Sequence, residues 1–240
     1  MIDTNSISSF LASNTIKTVA KTASVATVSV DPKALSSKTE NSDTATLSTL
    51  AKQLNDSAAR AESRDSTLGS KELGKLATSI IYKLVGPEYS DNRKIHDAEV
   101  PDTDDPELLE RAKQATQFMN GTGANPFASL SQDQLRLVIY DESGDYTINE
   151  RNAAFSENHD REQVWKRAIA KQYVDEYNET GKSTNTLVEM LAHYNDLPPI
   201  EKAQYPSNYV ANLTAGDSSA LDIFNSGKNS AINVSDSKEV

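Results

Sequence analysis

Residues 140–152 read YDESGDYTINERN, and the way this stretch is understood decides the fold. Counting from Asp141, oxygen-bearing side chains stand at the first, third, fifth, seventh and ninth places, as Asp141, Ser143, Asp145, Thr147 and Asn149; Asn152 closes the stretch at the twelfth. Alternate places of a tightly turned segment aim oxygens at one point, and the seventh residue can add its backbone carbonyl. A set of oxygens without His or Cys suits a hard cation and favours calcium over zinc. Upstream, Ser131 heads a helix with Leu135, Val138 and Ile139 on its apolar face, and downstream residues 147–177 carry the pattern of a long helix. The stretch therefore reads as a loop between two helices.

The rest of the chain supports a helical reading. From Thr44, Leu47, Leu50, Ala51, Leu54, Ala58 and Ala61 recur at helical spacing. Ser70 to Val85 gives a second helix with a wide apolar face through Leu73, Leu76, Ala77, Ile80, Ile81 and Leu84, stopped by Gly86 and Pro87. A loop through His96 leads to Asp105, whose carboxylate caps a helix starting at Pro106 and ending at Gly121. The later half of the 147–177 helix is expected to bury Val164, Trp165, Ala168, Ile169, Tyr173 and Val174, with Gly181 as its stop. A shorter helix over 185–194 follows, then a break at Pro198 and Pro199 and a last turn near 205–213. No alternating pattern competes, so the expectation is an all-α single domain over residues 44–213. The Ser- and Asn-rich tails, 1–43 and 214–240, are expected to be disordered.

Bulk properties narrow the function classes. Only 37% of residues are hydrophobic against 25% charged, as expected of a domain with polar tails. A net charge of -11 excludes sequence-independent binding to nucleic acid, which needs clustered Lys and Arg. The absence of cysteine removes disulfides, thiol catalysis and thiolate metal sites. No apolar run spans a bilayer, and the N-terminus lacks the pattern of a cleaved signal. The expected location is the cytoplasm, or the exterior by a route without a cleaved signal.

A second stretch, AESRDSTLGSKE at 61–72, matches 141–152 with Glu, Ser, Asp and Thr at the second, third, fifth and seventh places, and Leu68 lies against Ile148 at the eighth. On these residues the chain resembles the EF-hand family and, more distantly, the dockerin calcium loops. The resemblance covers two segments. It implies a paired helix-loop-helix unit joined through a short bridge at the eighth places, with calcium held by Asp141, Ser143, Asp145, Thr147, Asn149 and Asn152. The pair is degenerate: Ala61 cannot coordinate, Tyr146 stands where the family has Gly, and Asn152 replaces a bidentate Glu. With two carboxylates, affinity is expected at roughly the millimolar end of the range for such loops. A metal-free alternative is equally open, because Thr147 with Glu150 makes a capping box and the preceding residues make an ordinary turn.

Other constellations offer less. Glu189 and His193, four residues apart, share a helix face and would need a third ligand from elsewhere to hold a transition metal, with no HExxH beside them; His96 and His159 are isolated, and no nucleophile elbow, phosphate loop or dinucleotide fingerprint is present. The sequence thus points to a non-enzymatic helical protein with an EF-hand-like motif and weak calcium binding. The alternative is an exported interaction or effector-type protein that docks on a protein partner and uses the motif only as scaffold. The Ser-rich N-terminal tail resembles the starts of proteins exported by bacterial type III or flagellar machinery.

Overall fold

The computed structural model describes residues 40–215, with side chains from residue 49 onward, and these residues are all-helical with no strand. In chain order the helices are α1 (Glu40–Thr67), α2 (Ser70–Val85), α3 (Pro87–Asp91), α4 (Arg93–Asp97), α5 (Pro106–Met119), α6 (Gln132–Ile139), α7 (Ile148–Thr180), α8 (Thr184–Asp196), α9 (Pro199–Lys202) and α10 (Tyr209–Ala215). The expected tails lie outside the described residues, except that 40–43 begin α1 and 214–215 end α10. Among the described residues no helix is long and apolar enough to cross a membrane.

Local chemistry explains where these helices start and stop. Glu107 donates its backbone N–H to Asp105 Oδ1 at 2.9 Å, with Pro106 filling the first helical place of α5. Ser131 with Gln134, and Thr147 with Glu150, form reciprocal capping boxes at the starts of α6 and α7. Gly181 ends α7 at φ 71°, a left-handed conformation that costs a Cβ-bearing residue more. Gly86 stops α2, but Pro87 at once starts α3, so two short helices occupy the region expected to be a loop through His96.

Two apolar clusters hold the domain together. The larger gathers Leu54 from α1, Leu73, Ala77, Ile80 and Leu84 from α2, Ala115 from α5, Leu135, Val138 and Ile139 from α6, and Ala153 and Ala154 from α7. The smaller joins Ile169 of α7 to Leu187, Met190 and Leu191 of α8 and to Tyr209 and Leu213 of α10. Because the distal half of α7 meets neighbours on one side only, the expected burial there is corrected. Ile169 is buried and Trp165 and Tyr173 pack against the small cluster, whereas Val164, Ala168 and Val174 are exposed.

The short turn that follows α9 seats against α2 at Gly74. A Cβ built on Gly74 would lie 2.7 Å from the Ala203 carbonyl oxygen, a separation that forces the backbones apart. Gly74→Ala is therefore expected to destabilise the protein by about 1–3 kcal/mol through overpacking, outweighing the better helix propensity of alanine. Urea denaturation reads the loss directly; a variant as stable as the wild type would contradict so close an approach.

Candidate functional site

Residues 140–147 form a connector of eight residues between α6 and α7. Its early residues turn on themselves. Ser143 donates its backbone N–H to Asp141 Oδ1 at 2.8 Å, and Asp145 donates its own to Ser143 Oγ at 3.2 Å. The positive φ that lets the loop reverse is at Gly144, 96°, two places before the position where the family places glycine. That leaves the family's glycine position to Tyr146, a residue 3% exposed within the larger apolar cluster, its ring under the Arg111 guanidinium at 5.3 Å.

The partner loop expected at 61–72 takes another form. Residues 61–67 are the last turns of α1, and only Leu68 and Gly69 separate α1 from α2. Glu72, expected at the ligand place that closes a loop, accepts instead from the Gly69 backbone N–H at 3.0 Å and caps α2. Leu68 and Ile148 both pack against the larger cluster, and no two-stranded bridge joins their segments. The two stretches are nonetheless neighbours, as a helix lying along a loop rather than as two loops.

Contact between them runs along one polar stripe of α1. Gln53, Ser57, Arg60 and Arg64 follow each other at helical spacing, and each reaches residues 140–145. Ser57 donates its hydroxyl to Asp141 Oδ2 at 2.5 Å, Gln53 Nε2 donates to the Asp145 carbonyl at 3.4 Å, and Arg64 Nη1 donates to the Tyr140 carbonyl at 3.2 Å. Arg60 sits between the two loop carboxylates, its Nη2 donating at 2.6 Å to Asp141 Oδ2 and at 2.6 Å to Asp145 Oδ2. Burial alone would raise the Asp141 carboxyl, but hydrogen bonds from Arg60, Ser57 and Ser143 hold it below its ordinary value.

The later candidates are committed elsewhere. Thr147 Oγ1 accepts from the Glu150 N–H at 3.2 Å as the α7 cap. Asn149 accepts from the Tyr89 hydroxyl at 2.8 Å and donates to the His96 carbonyl and to Thr116 Oγ1. Asn152 Nδ2 donates to the Leu84 carbonyl at 2.6 Å, at the end of α2. Between them, Glu150 accepts from Arg111 Nε at 2.7 Å, and Arg151 donates from Nε and Nη2 to the Ile139 carbonyl, the last of α6. Asn149 to Asn152 are thus four consecutive buried polar residues, each fixing a different part of the fold.

Three of the six candidate ligands, Asp141, Ser143 and Asp145, come together, and the cation beside them is Arg60. The loop therefore does not fit calcium while that guanidinium is in place, since both carboxylates already bind a positive charge. Among the described residues no three of His, Asp and Glu gather as a metal-holding group. His193 turns to Glu162 rather than to Glu189, and His96 stacks on Tyr89 with centroids 5.2 Å apart. A cleft of about 500 Å³ opens beside the loop, floored by Leu76, Leu137 and Ile200. The arginines in its wall, Arg60, Arg64 and Arg136, are all paired with carboxylates.

Two consequences are measurable. Asp141 is held low in the folded state, so the stability it contributes is present above its ordinary value of 3.8 and is lost as pH falls below it. Asp141→Asn is expected to cost about 2 kcal/mol at neutral pH and to flatten the acid limb of a stability profile; an unchanged limb would contradict the pairing. Asn152→Ala, which strands a buried carbonyl, is expected to lower stability by about 1–3 kcal/mol in urea melts, and a neutral result would remove it from the framework. Comparison of the chain with family models, with curated proteins and with solved structures gives no match.

Proposed function

We propose that this is a non-enzymatic helical protein in which the EF-hand-like segment is a scaffold, closed by an internal arginine, and in which the helical surface serves a protein partner. The observation that carries the reading is Arg60 Nη2 at 2.6 Å from both Asp141 Oδ2 and Asp145 Oδ2. A guanidinium on a packed helix is present at fixed local concentration, so a free ion must displace it and also replace the hydrogen bonds it makes. Calcium then reaches the loop weakly, if Arg60 swings out, through Asp141, Ser143 and Asp145.

Support for a partner comes from the surface. Val174 and Tyr177 lie one turn apart near the end of α7, both more than half exposed, and the cleft beside the loop offers an apolar floor ringed by charge. Export belongs to the same proposal and rests on the Ser-rich composition of the N-terminal segment.

Calorimetric titration of calcium into the full chain and into Arg60→Ala distinguishes scaffold from sensor. The wild type is expected to show no saturable binding up to about 1 mM, and Arg60→Ala to saturate at roughly 0.1–1 mM, with Asp145→Ala in that background abolishing it. Saturation of the wild type well below that range would make the loop a calcium site in its own right. An Arg60→Ala variant that binds no better than wild type would remove the idea of a cation seat.

A further inference from the structure

The link between the two apolar clusters is charged. Arg136 of α6 is buried to 8% side-chain exposure between Glu162 of α7 and Glu201 of α9, with Nη2 at 3.2 Å from Glu162 Oε1 and Nε at 2.8 Å from Glu201 Oε2. On its other side Asp133, itself exposed, approaches at 3.0 Å. From α8, His193 Nε2 stands 3.4 Å from Glu162 Oε2, and the His193 ring stacks on Trp165 with centroids 3.7 Å apart. Arg136 Nε and His193 Nε2 are buried without a well-directed hydrogen bond, although both are close to carboxylates.

The charge balance of this group is odd. One guanidinium faces two sequestered carboxylates, Glu162 at 15% and Glu201 at 14% side-chain exposure. Lys166 and Tyr205 add their fields at the margin, and the Tyr140 hydroxyl, itself accepting from Gln204, donates to Glu201 Oε1. A buried excess of negative charge is costly, and binding one proton removes it.

We infer that the Arg136 cluster is a proton-operated joint, which holds α8 and α9 to the body of the domain most firmly when the two carboxyl groups of Glu162 and Glu201 share one proton. Glu201 is the principal proton holder. Burial keeps its carboxyl above the ordinary value of 4.5 despite the pull of Arg136. For Glu162 burial acts in the same sense, but hydrogen bonding and charge from His193, then Arg136, bring it net below 4.5. The signs follow. The contribution of Glu201 is complete below 4.5 and fades as pH rises through its higher folded value, whereas that of Glu162 is present above 4.5 and fades as pH falls through its lower one. The joint is tightest in mild acid and loosens towards alkaline pH.

Melting of the full-length wild type and of Glu201→Gln, which imitates the protonated acid, tests this across pH. Glu162→Gln removes the same single charge from the same group and so controls for the large overall negative charge. Glu201→Gln is expected to melt roughly 2–4 °C above wild type near pH 8, with the gap closing towards about pH 5. Glu162→Gln is expected to melt below wild type at both. Melting curves of wild type and Glu201→Gln that run parallel across pH, or a Glu201→Gln variant less stable than wild type at pH 8, would overturn the inference.

Discussion

Four consecutive polar residues, Asn149 to Asn152, occupy the first turns of α7 and none is more than 5% exposed. Burying so many polar groups in one place is tolerable only if every one finds a partner, since an unmet hydrogen bond costs more than a made one returns. The fold meets that condition by bringing a separate element to each: Tyr89 of α3 to Asn149, Arg111 of α5 to Glu150, the end of α6 to Arg151, and the end of α2 to Asn152. The arrangement of helices around α7 follows from this constraint as much as from the apolar cluster beneath it. Each spoke reads a backbone carbonyl or a single side chain, so a slip of one residue in α7 would break all four.

The loop ahead of that turn is treated in the same way. Its carboxylates, which in an ion-binding loop would wait for a cation, are supplied with one by the protein itself. Arg60 brings one positive charge to Asp141 and Asp145, and Ser57, Gln53 and Arg64 fasten the loop to the same face of α1. The tether places a positive charge within 2.6 Å of both loop carboxylates. Tyr146 strengthens the attachment, because its ring, packed in the larger cluster, anchors the loop from below.

Much of this was legible in the sequence. The apolar stripe of α2, the caps at Asp105, Ser131 and Thr147, and the stop at Gly181 all follow from local rules and stand as read. Val164 and Val174 are exposed against expectation because periodicity shows an apolar face without showing whether anything covers it, and α7 outruns its neighbours. The matched residues at 61–67 suggested a loop, but no glycine or proline interrupts the helical register before Gly69, so the helix continues. Asn149 and Asn152 looked like ligands because polarity and spacing alone do not tell a loop-facing oxygen from a core-facing amide. The role of Arg60 depends on contacts more than 80 residues away, although Gln53, Ser57, Arg60 and Arg64 are visible in the sequence as hydrogen-bonding side chains at helical spacing.

The claim that the loop's negative charge is satisfied from within is tested most directly by nuclear magnetic resonance of the Arg60 Nε–Hε group. This account predicts a distinct, slowly exchanging signal in the wild type that does not move when calcium is raised to about 1 mM. A signal that shifts saturably with calcium towards the position of a free arginine would contradict it.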